Sequence, residues 1–235
     1  MTVTWLNPDQ LEFPAVTSAL QEPNGLVAAG GDLSAPRLLL AYQQGIFPWY
    51  NPGEPILWWS PDPRGVLFTN EFKVSRSLRR LLTRNAFVVH VDRDFAAVVR
   101  HCSQPRAYAA ETWINSEMQA AYIRLHELGY AHSIECYQDD VLVGGLYGIG
   151  LGKMFFGESM FHTVTDASKV AFAYLNRLML AHGSPMIDCQ MDNPHLRTLG
   201  LREINRDDFI AIINVYAQAD QQIDWRQVPA VLPSW

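Results

Sequence analysis

From Arg64 onward the sequence alternates between strand signals and helix signals, and this alternation restricts the chain to a mixed α/β (α+β) fold. Three β runs follow one another near the middle, HSIECYQ, VLVGGLYGIG and KMFFGESMF, and a tight turn at Asp139 and Asp140 joins the first two. A long amphipathic helix is predicted next, from Asp166 to about Ala181. We therefore expect antiparallel hairpins that lead into a central strand–helix–strand unit.

The first sixty residues differ in composition from the rest of the chain. They are dense in proline, glycine and tryptophan, and the segment FPWYNPGEPILWWSPDP alone contains five prolines. One helix is predicted here, with Ser34 as its N-cap and an end at Gly45. No long linker follows this region. We therefore predict a small N-terminal domain over residues 1–62 that packs on a body over residues 63–235.

Charge is distributed unevenly along the chain. The whole sequence has a net charge of -6, from 18 basic and 24 acidic residues. Residues 64–106 contain nine basic and three acidic residues, a net charge of +6, which leaves -12 for the remainder. The helix SRSLRRLLTR in this stretch carries Arg76 and Arg80 one turn apart, with Arg79 and Arg84 close by. Such a region can attract a polyanion, and the alternative is a solvated helix face.

Several classes of protein are excluded by composition. A hydrophobic content of 49% can build a core, and no window reaches the roughly 18 apolar residues of a membrane span. The start, MTVTWLNPDQLEFPAV, has no signal-peptide pattern. Cys102, Cys136 and Cys189 cannot all pair and are too widely spaced for a metal knuckle, and no HExxH motif occurs. We expect a reduced, cytoplasmic, monomeric protein without a membrane partner, a metal or a cofactor.

Three polar or aromatic signals mark candidate site residues. Asp188 and Gln190 lie at i and i+2 in the predicted strand MIDCQ, so a regular strand would point both side chains to one face. Together they could orient a nucleophile or accept a proton, and the alternative is a satisfied buried polar pair. Glu158 follows FFG at the end of another strand. Tryptophans, among them Trp49 and Trp113, supply flat surfaces for stacking or for core packing.

Three other motifs point away from familiar chemistry. GGLYGIGLG has β runs on both sides, whereas a phosphate loop needs a helix after its glycines. We therefore expect that these glycines either let another group approach the strand closely or allow the strand to bend. GESMF lacks the second glycine of a nucleophile elbow, which argues against Ser159 as a nucleophile. Cys189 lies within a predicted buried strand, and a core thiol is the default interpretation.

Eleven short runs, in order over nearly the whole chain, resemble the leucyl/phenylalanyl-tRNA–protein transferase family. The resemblance implies transfer of Leu or Phe, and Met less well, from charged tRNA to the α-amino group of proteins that begin with Arg or Lys, which marks them for N-degron degradation. It also implies a body similar to the GCN5-related N-acetyltransferases. The runs are GLVAAGGDLS, GIFPWY, ILWWSPDPRGVL, SRSLRR, TWI, LHELGYAHSIE, LVGGLYG, FFGESMF, DASKVA, IDCQ and LGLREINR.

The resemblance also implies roles for individual residues. Gln190 would contact the attacking amine, Asp188 would orient and polarise Gln190, and these two are the expected catalytic residues. The proton acceptor stays open, since an amide oxygen is a poor base and a water or the tRNA 3′ hydroxyl could serve. It likewise implies that Glu158, Trp49 and Trp113 bind the substrates. An apolar side-chain pocket and contacts to phosphates are also needed, and residue type alone suggests which residues supply them: Leu146, Tyr147, Met154 and Phe155 are the other expected substrate-binding residues, and Arg76, Arg79, Arg80 and Arg84 are the expected tRNA-binding residues.

Two other functions compete with this interpretation. A CoA-dependent N-acyltransferase of the same fold would need a glycine-rich pyrophosphate loop between a core strand and the following helix, but that connection reads FHTVTDASK here. A non-catalytic binder of charged tRNA could use the basic helix and the tryptophans, but it would leave Asp188 and Gln190 without a role.

Overall fold

The computed structural model of the chain describes residues 3–104, 113–218, 220 and 222–235. The strands in these ranges are β1 (Thr4–Leu6), β2 (Leu26–Gly30), β3 (Phe47–Pro48), β4 (Leu57–Trp59), β5 (Arg64–Phe68), β6 (Val88–Val91), β7 (Ala131–Gln138), β8 (Val141–Leu151), β9 (Met154–His162), β10 (Met186–Gln190) and β11 (Arg202–Ile204). The α-helices are α1 (Ala35–Gln43), α2 (Arg76–Thr83), α3 (Phe95–Cys102), α4 (Ser116–Glu127), α5 (Ala167–Ala181), α6 (Pro194–Arg197) and α7 (Arg206–Tyr216).

The N-terminal strands form their own four-stranded sheet in the order β1-β2-β4-β3. Helix α1 lies between β2 and β3; it begins after Ser34 and ends just before Gly45, whose φ of +72° is a conformation that glycine adopts readily. Trp58 of β4 is fully buried, and its indole Nε1 donates to the carbonyl of Gly30 at 2.9 Å. The tryptophan-rich segment thus supplies part of the core of this region.

The remaining strands form a seven-stranded sheet in the order β11-β5-β10-β9-β8-β7-β6. Strands β7, β8 and β9 form consecutive antiparallel pairs, as the sequence predicted. Strands β9 and β10 run parallel, and α5 connects them. A parallel pair needs such a crossover, so the predicted strand–helix–strand unit is confirmed.

The parallel pair of β9 and β10 is short and opens at one end. Its register pairs Ile187 with Phe155 and Asp188 with Phe156, and it continues no further. Glu158, which follows on β9, therefore lies across a gap from the end of β10. Ligands commonly bind beyond the carboxyl ends of parallel strands, because the backbone leaves a crevice there.

Alternate residues of the central strands enter two separate hydrophobic clusters. Met154 and Phe156 face a cluster that includes buried residues of α1, α3, α4 and the N-terminal sheet, whereas Phe155 faces one formed with α2 and α5. This division follows from the two-residue period of a strand. The first cluster joins the N-terminal region to the larger sheet, so that region packs on the body as expected.

The glycines of β8 permit close packing. A Cβ atom at Gly148 would lie 2.2 Å from the backbone oxygen of Phe156, and one at Gly144 would lie 2.5 Å from the Cβ of Ala167 on α5. No real Cβ atom tolerates such distances. The interpretation that the glycines allow other groups to approach the strand is therefore confirmed.

The basic stretch is less continuous than its sequence suggests. Arg64 is fully buried and forms an ion pair with Asp188, so it adds nothing to a surface patch. Arg93 pairs with Asp140 at the surface. Arg106 lies outside the described residues. Within the described ranges no helix is long and apolar enough to cross a membrane.

Candidate active site

A cavity of about 270 Å³ occupies the gap where β9 and β10 separate. Its walls come from β8, β9, β10, α5, the segment after β10 and the start of the segment after β3. The fold thus brings together residues that are far apart in the sequence. Six of the residues predicted to contact substrates or catalyse transfer line it: Trp49, Trp113, Leu146, Tyr147, Glu158 and Gln190.

Glu158 is the polar centre of this cavity. Its Oε1 accepts hydrogen bonds from the hydroxyl of Tyr42 at 2.7 Å and from the side-chain Nε2 of Gln190 at 3.0 Å. Its Oε2 accepts one from the hydroxyl of Tyr122 at 2.7 Å. Burial raises the pKa of Glu158 to about 7, although both tyrosine hydrogen bonds lower it. The same burial raises the pKa of each tyrosine well above its ordinary value.

Asp188 is fully buried and is held by Arg64 rather than directed at a substrate. Arg64 donates from Nε to Oδ1 at 2.8 Å and from Nη2 to Oδ2 at 2.7 Å. The guanidinium also donates to the carbonyl of Gly45 and packs over the rings of Phe47 and Phe209. A bidentate pair of this kind is among the stronger side-chain interactions in proteins. It connects β10 and β5 to the end of α1, to β3 and to α7.

The expected contact between Asp188 and the Gln190 amide is corrected by the structure. Oδ1 of Asp188 accepts a hydrogen bond from the backbone N–H of Gln190 at 3.0 Å, whereas the side-chain amide donates to Glu158. The expectation assumed a regular strand. Instead the register shifts between the two residues, and Gln190 has a φ of +61°. Asp188 thus fixes an unusual backbone conformation that turns the Gln190 side chain toward Glu158.

Met154 and Phe155 were expected in the substrate pocket, but both are fully buried in the core. Met154 belongs to the cluster beneath α3 and α4, and the Phe155 ring lies 5.8 Å from that of Trp225. They precede the point where β9 and β10 separate, so they do not line the cavity. They therefore belong to the core and not to the walls of the cavity. Phe172 and Leu175 of α5 line the apolar wall, and their spacing of three residues on one helix was an available signal.

Sequence reasoning also missed the partners that hold the polar centre. Tyr42 on α1 and Tyr122 on α4 lie far from Glu158 in the sequence, and no local motif marks either. Arg64 was counted with the surface cations. Its position beside a buried strand and between two aromatic residues becomes evident only from the tertiary structure.

The tryptophans that were expected to bind substrate stand at the cavity edge. Trp49 is 40% exposed, and its ring lies 5.9 Å from that of Trp59. The Trp59 indole donates to the carbonyl of Trp49 at 2.7 Å. Trp113 is half-buried on the same cavity. An exposed flat ring beside a polar pocket suits stacking with a nucleobase.

The predicted basic helix α2 presents its arginines to solvent. Leu78 and Leu82 are buried and form the packed side of the helix, which contacts α5. The side chain of Ser75 caps it by accepting from the backbone N–H of Leu78 at 3.2 Å. No acidic residue in the described part of the chain forms an ion pair with these arginines. The four exposed arginines are Arg76, Arg79, Arg80 and Arg84.

One cluster outside the cavity has the residue types of a metal site. Asp92, His126 and His132 place one ligand atom each within 4.8 Å of one another. However, both ring nitrogens of His132 face acceptors: Asp92 Oδ2 at 2.7 Å and the Gly129 carbonyl at 3.2 Å. The Nδ1 of His126 faces the carbonyl of Ala131 at 2.8 Å. A nitrogen that donates its hydrogen to a carbonyl has no lone pair for a metal, so we interpret this group as a hydrogen-bonded cluster.

Comparison with protein families gives two consistent matches. The model described as leucyl/phenylalanyl-tRNA protein transferase matches residues 66–214. The model for the N-terminal domain of that transferase matches residues 31–62.

Curated proteins with the same name are similar over most of their length. The leucyl/phenylalanyl-tRNA–protein transferase of Cellvibrio japonicus (strain Ueda107) is 54% identical over 228 residues, which are 96% of this chain and 97% of that protein. That of Pseudomonas fluorescens (strain SBW25) is 52% identical over 223 residues, 95% of this chain and 99% of its own. That of Nitrosospira multiformis is 55% identical over 207 residues, which are 88% of this chain and 89% of that protein.

Solved structures give weaker similarity. The structure of L-PGS from Bacillus licheniformis has a TM-score of 0.37 and 13% identity, over 66% of this chain and 50% of that chain. A functionally unknown conserved protein from Staphylococcus epidermidis has a TM-score of 0.40 and 10% identity, over 77% of this chain and 68% of that chain. Similarity at this level carries no argument about the fold. The family models and the relatives at more than 50% identity, in contrast, show that this chain belongs to the leucyl/phenylalanyl-tRNA–protein transferase family.

Proposed function

We propose that this chain transfers Leu or Phe, and Met less well, from charged tRNA to the α-amino group of proteins that begin with Arg or Lys. The observation that carries the proposal is 54% identity along 96% of the chain to a protein named for leucyl and phenylalanyl transfer. The donor and the protein acceptor follow from that name. The basic first residue of the acceptor and the role in N-degron degradation are the finer parts of the proposal.

The reaction is aminolysis of an activated ester, which needs no covalent enzyme intermediate. The amine must be held close to the carbonyl carbon, and the charge that develops must be stabilised. Gln190 and Glu158 are hydrogen-bonded to each other at the cavity and would meet the amine. Leu146 and Tyr147, with the α5 wall, would contact the donor side chain. The exposed arginines of α2 would contact tRNA phosphates.

We further propose the domain division at residue 62 and an acetyltransferase-like body. The smaller sheet supports the division, since its four strands all lie before residue 60. The opened parallel pair of β9 and β10, with α5 between them, is the feature that favours the acetyltransferase-like description. We also propose that the protein is cytoplasmic and monomeric.

A transfer assay tests the function directly. Radiolabelled Leu-tRNA is mixed with a peptide that begins with Arg, with and without acetyl-CoA. Label should enter the peptide, and acetyl-CoA should change nothing. The matched controls are the same peptide with an acetylated amine and the same peptide beginning with Asp, and both should remain unlabelled. Tight binding of Leu-tRNA without transfer would instead indicate a charged-tRNA binder.

A further inference from the structure

We propose that Glu158 accepts the proton from the attacking amine that Gln190 contacts; the inference rests on the proposed function. The first support is the hydrogen-bonding capacity of the Glu158 carboxylate. Two carboxylate oxygens offer about four acceptor positions. Among the described residues, Oε1 receives hydrogen bonds from Tyr42 and Gln190, and Oε2 receives one from Tyr122. One acceptor position on Oε2 therefore remains, on a residue that lines the cavity.

Gln190 supplies the second acceptor that an amine needs. Because its Nε2 donates to Glu158, its amide oxygen is directed away from that carboxylate. A neutral primary amine has two N–H groups and one lone pair. If one N–H donates to the Gln190 amide oxygen and the other to Oε2 of Glu158, the lone pair is aimed at the donor carbonyl. Two fixed acceptors thus orient the nucleophile and leave the carboxylate within hydrogen-bond reach of the proton it takes.

The proton and electron pairs balance without any further reactant. The amine nitrogen bonds to the ester carbon while the carbonyl π pair moves to oxygen, and the nitrogen loses one proton to Glu158. The carbonyl then re-forms as the bond from carbon to the ribose oxygen breaks. That oxygen takes up the proton that Glu158 received. The products are an amide and a free ribose hydroxyl, and the carboxylate is restored.

The surroundings of Glu158 suit a group that gains and loses a proton near neutral pH. Tyr42 faces it from α1 and Tyr122 from α4, and both donate to the ionised form. Asp188 on β10 raises its pKa, and Arg64 on β5, which is paired with Asp188, lowers it. Burial makes the largest contribution and brings the pKa to about 7. A general base is most effective when its pKa lies near the working pH.

The pH dependence of single-turnover transfer tests this role. The substrates are saturating Leu-tRNA and a peptide that begins with Arg. Below about pH 6.5, Glu158 and the acceptor amine must both lose a proton, so the logarithm of the wild-type rate should rise with a slope of about two. In Glu158→Gln the slope should fall to about one, and the rate at pH 7 should drop roughly 10²- to 10⁴-fold. Glu127→Gln, which alters an exposed carboxylate, is the control and should keep both slope and rate.

A second variant keeps the test decisive if Glu158→Gln does not fold. Tyr122→Phe removes one hydrogen bond that lowers the pKa of Glu158, so the Glu158 limb of the profile should move to higher pH. A purely structural role would lower the rate without moving that limb. The proposal is overturned if folded Glu158→Gln keeps a slope of two and a rate within threefold of wild type, or if the Tyr122→Phe limb does not move. Absence of transfer by the wild-type protein would overturn the proposed function instead.

Discussion

The ion pair between Arg64 and Asp188 gives a test of stability that is separate from catalysis. Both side chains are fully buried, so removing one partner leaves an uncompensated charge in the core. Asp188→Ala should lower the free energy of unfolding by about 3–5 kcal/mol. Denaturant titration measures this, and Arg64→Met in the same protein should recover part of the loss. If Asp188→Ala alone were as stable as wild type, the pair would not anchor the backbone beneath Gln190.

Cys189 provides a test of direct aminolysis, because it is the cysteine that lines the cavity. Burial raises the pKa of its thiol, which keeps it protonated and a poor nucleophile. Cys189→Ala should therefore retain transfer activity per folded molecule within an order of magnitude. Single-turnover transfer and circular dichroism of the same preparation provide the comparison. Complete loss in a folded variant would point to a covalent intermediate.

The exposed arginines of α2 should account for part of the salt dependence of tRNA binding. Each phosphate contact contributes roughly 0.7 to 0.9 to the slope of log affinity against log salt concentration. Replacing both Arg76 and Arg80 by Ala should flatten that slope by one to two such contributions. Arg124→Ala is the matched control, since Arg124 is exposed on α4 but paired with Glu127. Titrations at several salt concentrations that gave an unchanged slope in the double variant would exclude α2 from the tRNA surface.

Elements were predictable where local chemistry determines them. Asn115 and Asn193 cap α4 and α6 through their side chains, and asparagine is a residue type that N-cap positions favour. The three central strands are equally local, since tight turns join them. The irregular end of β10 was not predictable. A positive φ at a residue other than glycine is uncommon, and here the buried carboxylate of Asp188 stabilises it at Gln190.

At the scale of the whole molecule, six of the cavity residues were predictable from the sequence, but the hydrogen-bond partners Tyr42, Tyr122 and Arg64 were not. Tyr42 lies 116 residues from Glu158, and Arg64 lies 124 residues from Asp188. No helical or strand period relates such positions, so only the packing of α1, α4 and β5 around the sheet brings them together. The residue types in the sequence indicated a site with carboxylate, amide and aromatic side chains. The tertiary structure assigned Glu158 its central position and Asp188 its anchoring role.

The unusual pKa of Glu158 should appear in the pH dependence of the stability of the whole protein. Its ordinary value is 4.5 and burial raises it to about 7, so between these pH values the folded state holds a proton that the unfolded state has released. The free energy of unfolding should therefore fall as pH rises through this window, by about 3 kcal/mol at 1.36 kcal/mol per pKa unit. Glu158→Gln cannot titrate and should lack this decrease.

Urea denaturation of both proteins at pH 5 and pH 7.5 provides the measurement. The pKa of Glu135 is also raised by burial, but this residue is present in both proteins and cancels in the comparison. The quantity to compare is the difference in free energy of unfolding between wild type and Glu158→Gln. The prediction concerns how that difference changes with pH, and not its value at one pH. If that difference stayed constant, Glu158 would titrate alike in the folded and unfolded states, and burial would not control its charge. Since the same proton equilibrium governs stability and the proposed transfer step, the loss of stability should level off near pH 7, where the Glu158 limb of the transfer profile also bends.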